Sequence, residues 1–182
     1  MRSSMVVLVL GLAAAPALAD RSPYAGQETR AVKALSATEI EELQAGRGMG
    51  LALAAELNHY PGPAHVLELA DELELSPDQR RATEAVFAGM QAEARALGAA
   101  VLEAERALED VFASGTATPD SVTRITGEIG ILQGRLRAVH LLAHVEMKAL
   151  LTAEQIAHYD LLRGYTGHAP ATGPGHEHHH PG

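Results

Sequence analysis

Apolar residues recur at alternating steps of three and four through two long stretches of this chain, the spacing of helices with one buried face. In the first stretch Phe87, Met90, Ala94, Leu97, Val101, Ala104, Leu108 and Val111 form a heptad-like seam, with Glu93, Arg95, Glu103 and Arg106 mostly outside it. In the second, Val122, Ile125, Ile129, Leu132, Leu136, Val139 and Ala143 repeat the pattern. Ser114–Thr118 reads as the turn between them, and Thr118-Pro119-Asp120 as the restart of a helix. Two long helices joined by so short a turn are expected to lie antiparallel, as a hairpin.

Shorter helices are marked by their starts. Ser36-Ala37-Thr38-Glu39 is a capping box, in which the Ser hydroxyl and the Glu carboxylate each satisfy an orphan backbone N–H, with Leu35 and Ile40 at the staple positions. It predicts a helix to about Ala45, broken by Gly46, Gly48 and Gly50. A second short helix is expected over Leu51–Asn58, ended by Pro61-Gly62-Pro63, and an acidic amphipathic one over His65–Leu73. Ser76-Pro77-Asp78-Gln79 is a second capping box, with Pro at N1, and opens the first long helix. Thr152-Ala153-Glu154-Gln155 is a third, stapled by Leu151 and Ile156, and opens a last helix that runs to about Arg163 and stops at Gly164.

At the start, Arg2, the apolar run Met5–Ala15 and the Ala17-Leu18-Ala19 site predict a signal peptide over residues 1–19, cut between Ala19 and Asp20, and export to the periplasm. No later run has membrane length, so the mature chain is not expected to be membrane-embedded. Residues 20–35 have no period and read as a mobile arm, 36–164 as the helical domain, and 165–182, rich in Gly, Pro, Thr and His, as a disordered tail. Loss of Arg2 takes the net charge from -9 to -10, which disfavours nucleic acid as a partner. With no Cys there is neither a disulfide nor a lipid-anchor site, and with two Phe, four Tyr and no Trp the helices must pack closely on Ala and Leu.

Leu75-Ser76-Pro77-Asp78-Gln79 and Leu151-Thr152-Ala153-Glu154-Gln155, placed before and after the long helical pair in an exported chain, resemble the paired LTxxQ motifs of the Spy/CpxP periplasmic family. The carriers are Leu75, Ser76 and Gln79, then Leu151, Thr152 and Gln155, and the similarity spans residues 64–164. The resemblance implies an all-α fold: a long antiparallel helical hairpin with short flanking helices, forming an elongated curved homodimer. It implies a non-enzymatic role, as an ATP-independent chaperone holding unfolded client proteins in a helical cradle, or as an envelope-stress partner of a membrane sensor kinase or regulator. Chaperone members use a largely basic concave face; this chain is acidic overall, and its positive charges gather mainly on residues 124–148, as Arg124, Arg135, Arg137 and Lys148. A related branch comprises periplasmic heavy-metal sensors with ligands late on the second long helix, the region that Ala143–Leu150 resembles, and a histidine pair before the first. His59 and His65 are the histidines nearest that place in this chain.

The candidate chemistry is metal binding. His140, His144 and Met147 stand at i, i+4 and i+7, along one stripe of a helix, and imidazole suits zinc, copper or nickel while a thioether suits copper(I). The competing reading leaves the two imidazoles half-exposed on the flank of the seam, with Met147 filling a packing gap. His176, His178, His179 and His180 offer four more imidazoles within five residues. No cofactor is required, and a transition metal ion is the one ligand these residues suggest. The paired carboxylates Glu68/Glu72 and Glu105/Glu109 read as solvated outer faces. No phosphate loop, nucleophile elbow or His-Glu-x-x-His motif supports catalysis. Gly46–Gly50, with Met49, Leu51 and Leu53, is expected to dock onto the long helices.

Overall fold

The computed structural model describes residues 22–165. They form six helices and, among them, no strand: α1 Ala37–Ala45, α2 Leu53–Glu56, α3 Pro63–Glu68, α4 Pro77–Ala113, α5 Pro119–Leu150 and α6 Ala153–Arg163. The expected signal peptide and the His-rich end lie outside these residues. None of the described helices is long and apolar enough to cross a membrane.

α4 and α5, of 37 and 32 residues, pack together. The predicted seams meet: Ala104, Ile125 and Ile129 close one end beside the 114–118 turn, and Ala94, Val101, Leu102, Leu136 and Val139 fill the middle. At the far end Met147, Leu151 and Tyr159 cluster with Val66 and Leu73 from the α3 region. α1 lies across α4 where Gly98 permits it, since a Cβ at that position would fall on the Leu43 carbonyl and 2.9 Å from its carbon. The expected caps all form, with a fourth at Thr118, whose hydroxyl accepts from Ser121 N–H while the Ser121 hydroxyl accepts in return.

The second and third caps do more than start helices. Gln79 Oε1 accepts the Ser76 N–H at 3.1 Å, and Gln155 Oε1 accepts the Thr152 N–H at 3.0 Å. The two amides also face each other, Gln79 Nε2 donating to Gln155 Oε1 at 2.8 Å and Gln155 Nε2 to Gln79 Oε1 at 3.1 Å. Each Nε2 donates once more, Gln79 to the Leu150 carbonyl at 3.2 Å and Gln155 to the Leu73 carbonyl at 3.1 Å. A Glu at N3 caps equally well, as Glu39 does in α1, but has no N–H to give. Gln at both positions is therefore what joins the starts of α4 and α6 to the end of α5.

Elsewhere the structure departs from the pattern. α2 covers only Leu53–Glu56, because the Asn58 side chain donates to the Ala54 carbonyl at 2.8 Å and His59 turns the chain at φ 65°. α3 starts at Pro63, whose ring presets the first helical φ, and gives way after Glu68 to turns that bury Ala70 and Leu73 and close at Glu74, φ 50°. The end of the arm is packed, with Val32 buried and Lys33 paired to Glu109. Glu105 is buried too, and desolvation raises its pKa, which corrects the reading of Glu105/Glu109 as an open acidic face; Glu68 and Glu72 are exposed, as expected.

Two measurements test this packing. Gly98→Ala should lose about 1–3 kcal/mol in denaturant unfolding through overpacking of α1. Gly89→Ala, with open space around its Cβ, should gain about 0.5–1 kcal/mol from helix propensity. In a double-mutant cycle, Gln79→Ala and Gln155→Ala should each cost about 1–3 kcal/mol, and the pair about 1 kcal/mol less than their sum. Strict additivity would show that the two amides act as separate caps.

Candidate functional site

Two concave features share the middle of α4 and α5. The larger is an open groove of about 810 Å³ running between the helices. Ala85, Val86, Met90, Leu97, Ala138 and Leu142 supply its apolar lining, and Glu93, Arg135 and Glu146 frame it with charge. Leu142 is 60% exposed and neighbouring Val145 52%, so the groove presents large apolar side chains to water.

The smaller is a cavity of about 300 Å³ formed by the Gly46–Gly48 turn, Gly62–His65, Phe87, Met90, His140 and His144. Helical spacing puts His140 and His144 on one stripe of α5, as expected, but they are not on an exposed flank: they are 3% and 7% exposed. The burial comes from the α1–α3 segment, which folds over that stripe. Gly62 makes the approach feasible, since a Cβ there would stand 2.9 Å from His144 Cε1. Met147, the third member of the stripe, is fully buried in the apolar cluster with Val66, Leu73, Leu151 and Tyr159 and does not line the cavity.

His144 Nδ1 lies 2.7 Å from the Tyr60 carbonyl oxygen. A carbonyl only accepts, so Nδ1 carries a proton and donates it, and this bond selects the neutral tautomer whose lone pair is on Nε2. Such an outer hydrogen bond orients histidine ligands in metal sites. His140 Nε2 is buried with no hydrogen-bond partner. Burial, and then neighbouring His144, hold the His140 pKa below the usual histidine value.

Beside the cavity, Glu56 is the hub of a polar cluster drawn from four elements. Its Oε1 accepts from Tyr159 Oη at 2.5 Å and Tyr165 Oη at 2.9 Å, with His65 Nδ1 and Arg163 Nε each 3.6 Å away. Its Oε2 stands 3.5 Å from His144 Nδ1 and has no hydrogen bond. Burial, reinforced by the Glu56 carboxylate, pushes the Tyr159 hydroxyl far above the ordinary tyrosine range, keeping it a donor. His59 turns away from the cavity and pairs with buried Asp160 at 2.7 Å, and Lys148 sits 3.9 Å above the Tyr60 ring.

Of the candidate ligands, then, His140 and His144 come together and Met147 stands apart, while His176, His178, His179 and His180 lie outside the described residues. As the side chains stand, no three His, Asp or Glu groups among the described residues are arranged to hold a metal ion. Glu56, Tyr159 and Tyr165 were not singled out by sequence reasoning. The signal for Glu56 is the density of Glu, His, Tyr, Gly and Pro in residues 56–65, where a glycine between two prolines marks a close backbone approach; nothing local marks Tyr159 or Tyr165.

Fold and site together define an all-helical protein built on two packed long helices, with an apolar groove and a buried imidazole pair on adjoining faces. No family model, no curated protein and no solved structure matches the chain.

Because the folded-state pKa of His140 lies below its unfolded value near 6.5, the unfolded chain binds more protons as pH falls through 6.5, and stability falls with it. His140→Gln should flatten the loss of stability between pH 7 and about 5, read by denaturant titration at several pH values. An unchanged slope would show that other groups carry the acid sensitivity.

Proposed function

We propose that this protein is an exported, non-enzymatic binding module of the Spy/CpxP type, working in the periplasm by holding exposed apolar segments of unfolded proteins without ATP. The observation that carries the proposal is the α4–α5 groove, a long apolar surface framed by Glu93, Arg135 and Glu146 and left open to water. Soluble chains seldom leave an apolar surface of that kind uncovered unless something binds there. The paired LTxxQ-like motifs and the Ala17-Leu18-Ala19 signal support the same reading. On it, the long helices form an antiparallel hairpin that joins a second copy in an elongated, curved dimer, whose partner is an unfolded client or, in its place, a membrane sensor kinase or regulator.

A second reading, transition-metal sensing or buffering, is favoured by the buried His140/His144 pair, with His144 Nε2 free and His65 on the same cavity. A zinc, copper or nickel ion there would draw on His140 and His144, with His65 and Glu56 adjacent.

Ala85→Glu with Leu142→Glu places charge on exposed groove positions. It should weaken capture of an aggregating client by about tenfold, from roughly 1.5 kcal/mol of lost apolar contact, with thermal stability unchanged. His140→Gln with His144→Gln should leave that activity intact in metal-free buffer. Wild-type suppression by the groove variant would remove the chaperone reading.

A further inference from the structure

We infer that the cavity beneath the α1–α3 segment is a site for a soft monovalent cation, copper(I) or silver(I), held by the imidazoles of His140 and His144 on α5 and the thioether of Met90 on α4. The inference rests on the metal reading above, and names a third ligand and the class of metal. Helical spacing offers Met147 as the sulfur donor, but Met147 is wholly buried in the cluster with Val66, Leu73 and Tyr159. Met90 instead lines the same cavity of about 300 Å³ as both imidazoles, and does so from the other long helix. It is partly buried, and its unbranched, flexible side chain lets the sulfur settle on a ligand without moving the backbone.

The nitrogen donors are prepared for a cation. His140, on the cavity wall, is 3% exposed, and its buried Nε2 has no hydrogen-bond partner. The Tyr60 carbonyl selects the His144 tautomer with its lone pair on Nε2. The position that a Gly62 Cβ would take lies 3.1 Å from this Nε2 and 3.3 Å from Glu56 Oε2, a second buried atom without a partner. One carboxylate charge therefore stands close to the imidazole lone pair. Donor type and charge then select the same ion. Imidazole and thioether together suit copper(I), whereas a structural zinc ion takes four ligands drawn from thiolate, imidazole and carboxylate. The cost of taking an ion out of water rises with the square of its charge, and Glu56 offsets the whole of a single positive charge but half of a double one. Arg47, also on the cavity wall, repels a divalent ion twice as strongly as a monovalent one.

The test is a silver(I) titration of the full-length chain, with free silver set by a competing chelator and binding read site by site through methionine methyl ¹³C and imidazole ¹⁵N signals. Silver(I) stands in for copper(I) as an air-stable ion of the same charge and softness. In wild type the Met90 methyl and the His140 and His144 nitrogens should shift together at one free-silver midpoint, while Met49 and Met147 stay in place. Anaerobic copper(I) should move the same three side chains. Met90→Leu, close in volume, should raise the His140/His144 midpoint by about tenfold or more, with the helical circular dichroism unchanged. His140→Gln with His144→Gln should raise the Met90 midpoint by about as much. Histidine shifts with Met90 unmoved, or an unchanged midpoint in Met90→Leu, would overturn the inference and leave the metal reading standing. Zinc shifting the two histidines at a lower free concentration than silver would do the same. Silver and zinc both leaving His140 and His144 unmoved would overturn the inference and the metal reading together.

Discussion

The reciprocal amide pair of Gln79 and Gln155 sets where the end of the molecule sits, and the rest of the polar architecture hangs from it. Through it the start of α4, the end of α5, the start of α6 and the turn at Leu73 share one hydrogen-bond unit in which every amide N–H and oxygen is used. α6 enters at a fixed angle, and that angle brings Tyr159 and Asp160 inward, to Glu56 and His59. Glu56 and the Tyr60 carbonyl then bound the ring of His144. A chain with two Phe and no Trp has little apolar bulk to close the end of two slender helices, and the Gln79–Gln155 unit adds directional bonds to the Met147, Leu151 and Tyr159 cluster there.

How much of this was legible depended on whether the signal was local. The seams, turn and caps are written in the spacing of three and four and in Ser/Thr starts, and they appear where the pattern put them. Local signals also placed His140 and His144 on one stripe. Their burial was not legible, because it depends on α1–α3 folding over α5, a contact between residues about eighty positions apart that helical periodicity does not encode. The same holds for the Gln pair. Each Gln reads as a cap, and only the choice of Gln over Glu at both sites hints that a donor is wanted across the fold.

α5 divides its surface over a few turns. Ala138, Leu142 and Glu146 face the groove, His140 and His144 face the cavity, and Val139 and Ala143 are buried between. On α4, Met90 lines both features. Groove and cavity are thus separated by a single layer of side chains, and that layer is thin because its members are Val, Ala and an adaptable Met.

That placement bears on why imidazoles stand at 140 and 144 at all. A buried polar nitrogen without a partner costs roughly 1–3 kcal/mol, and His140 Nε2 is one. Leu at that position would extend the seam without the penalty, as Leu136 does one turn earlier. A role in holding the α1–α3 segment accounts for His144, which donates to Tyr60, but does not account for a nitrogen at His140 Nε2, which has no hydrogen-bond partner. On the metal reading, a ligand that binds both imidazoles would turn the cost of burying His140 Nε2 into a gain realised only when the ligand arrives.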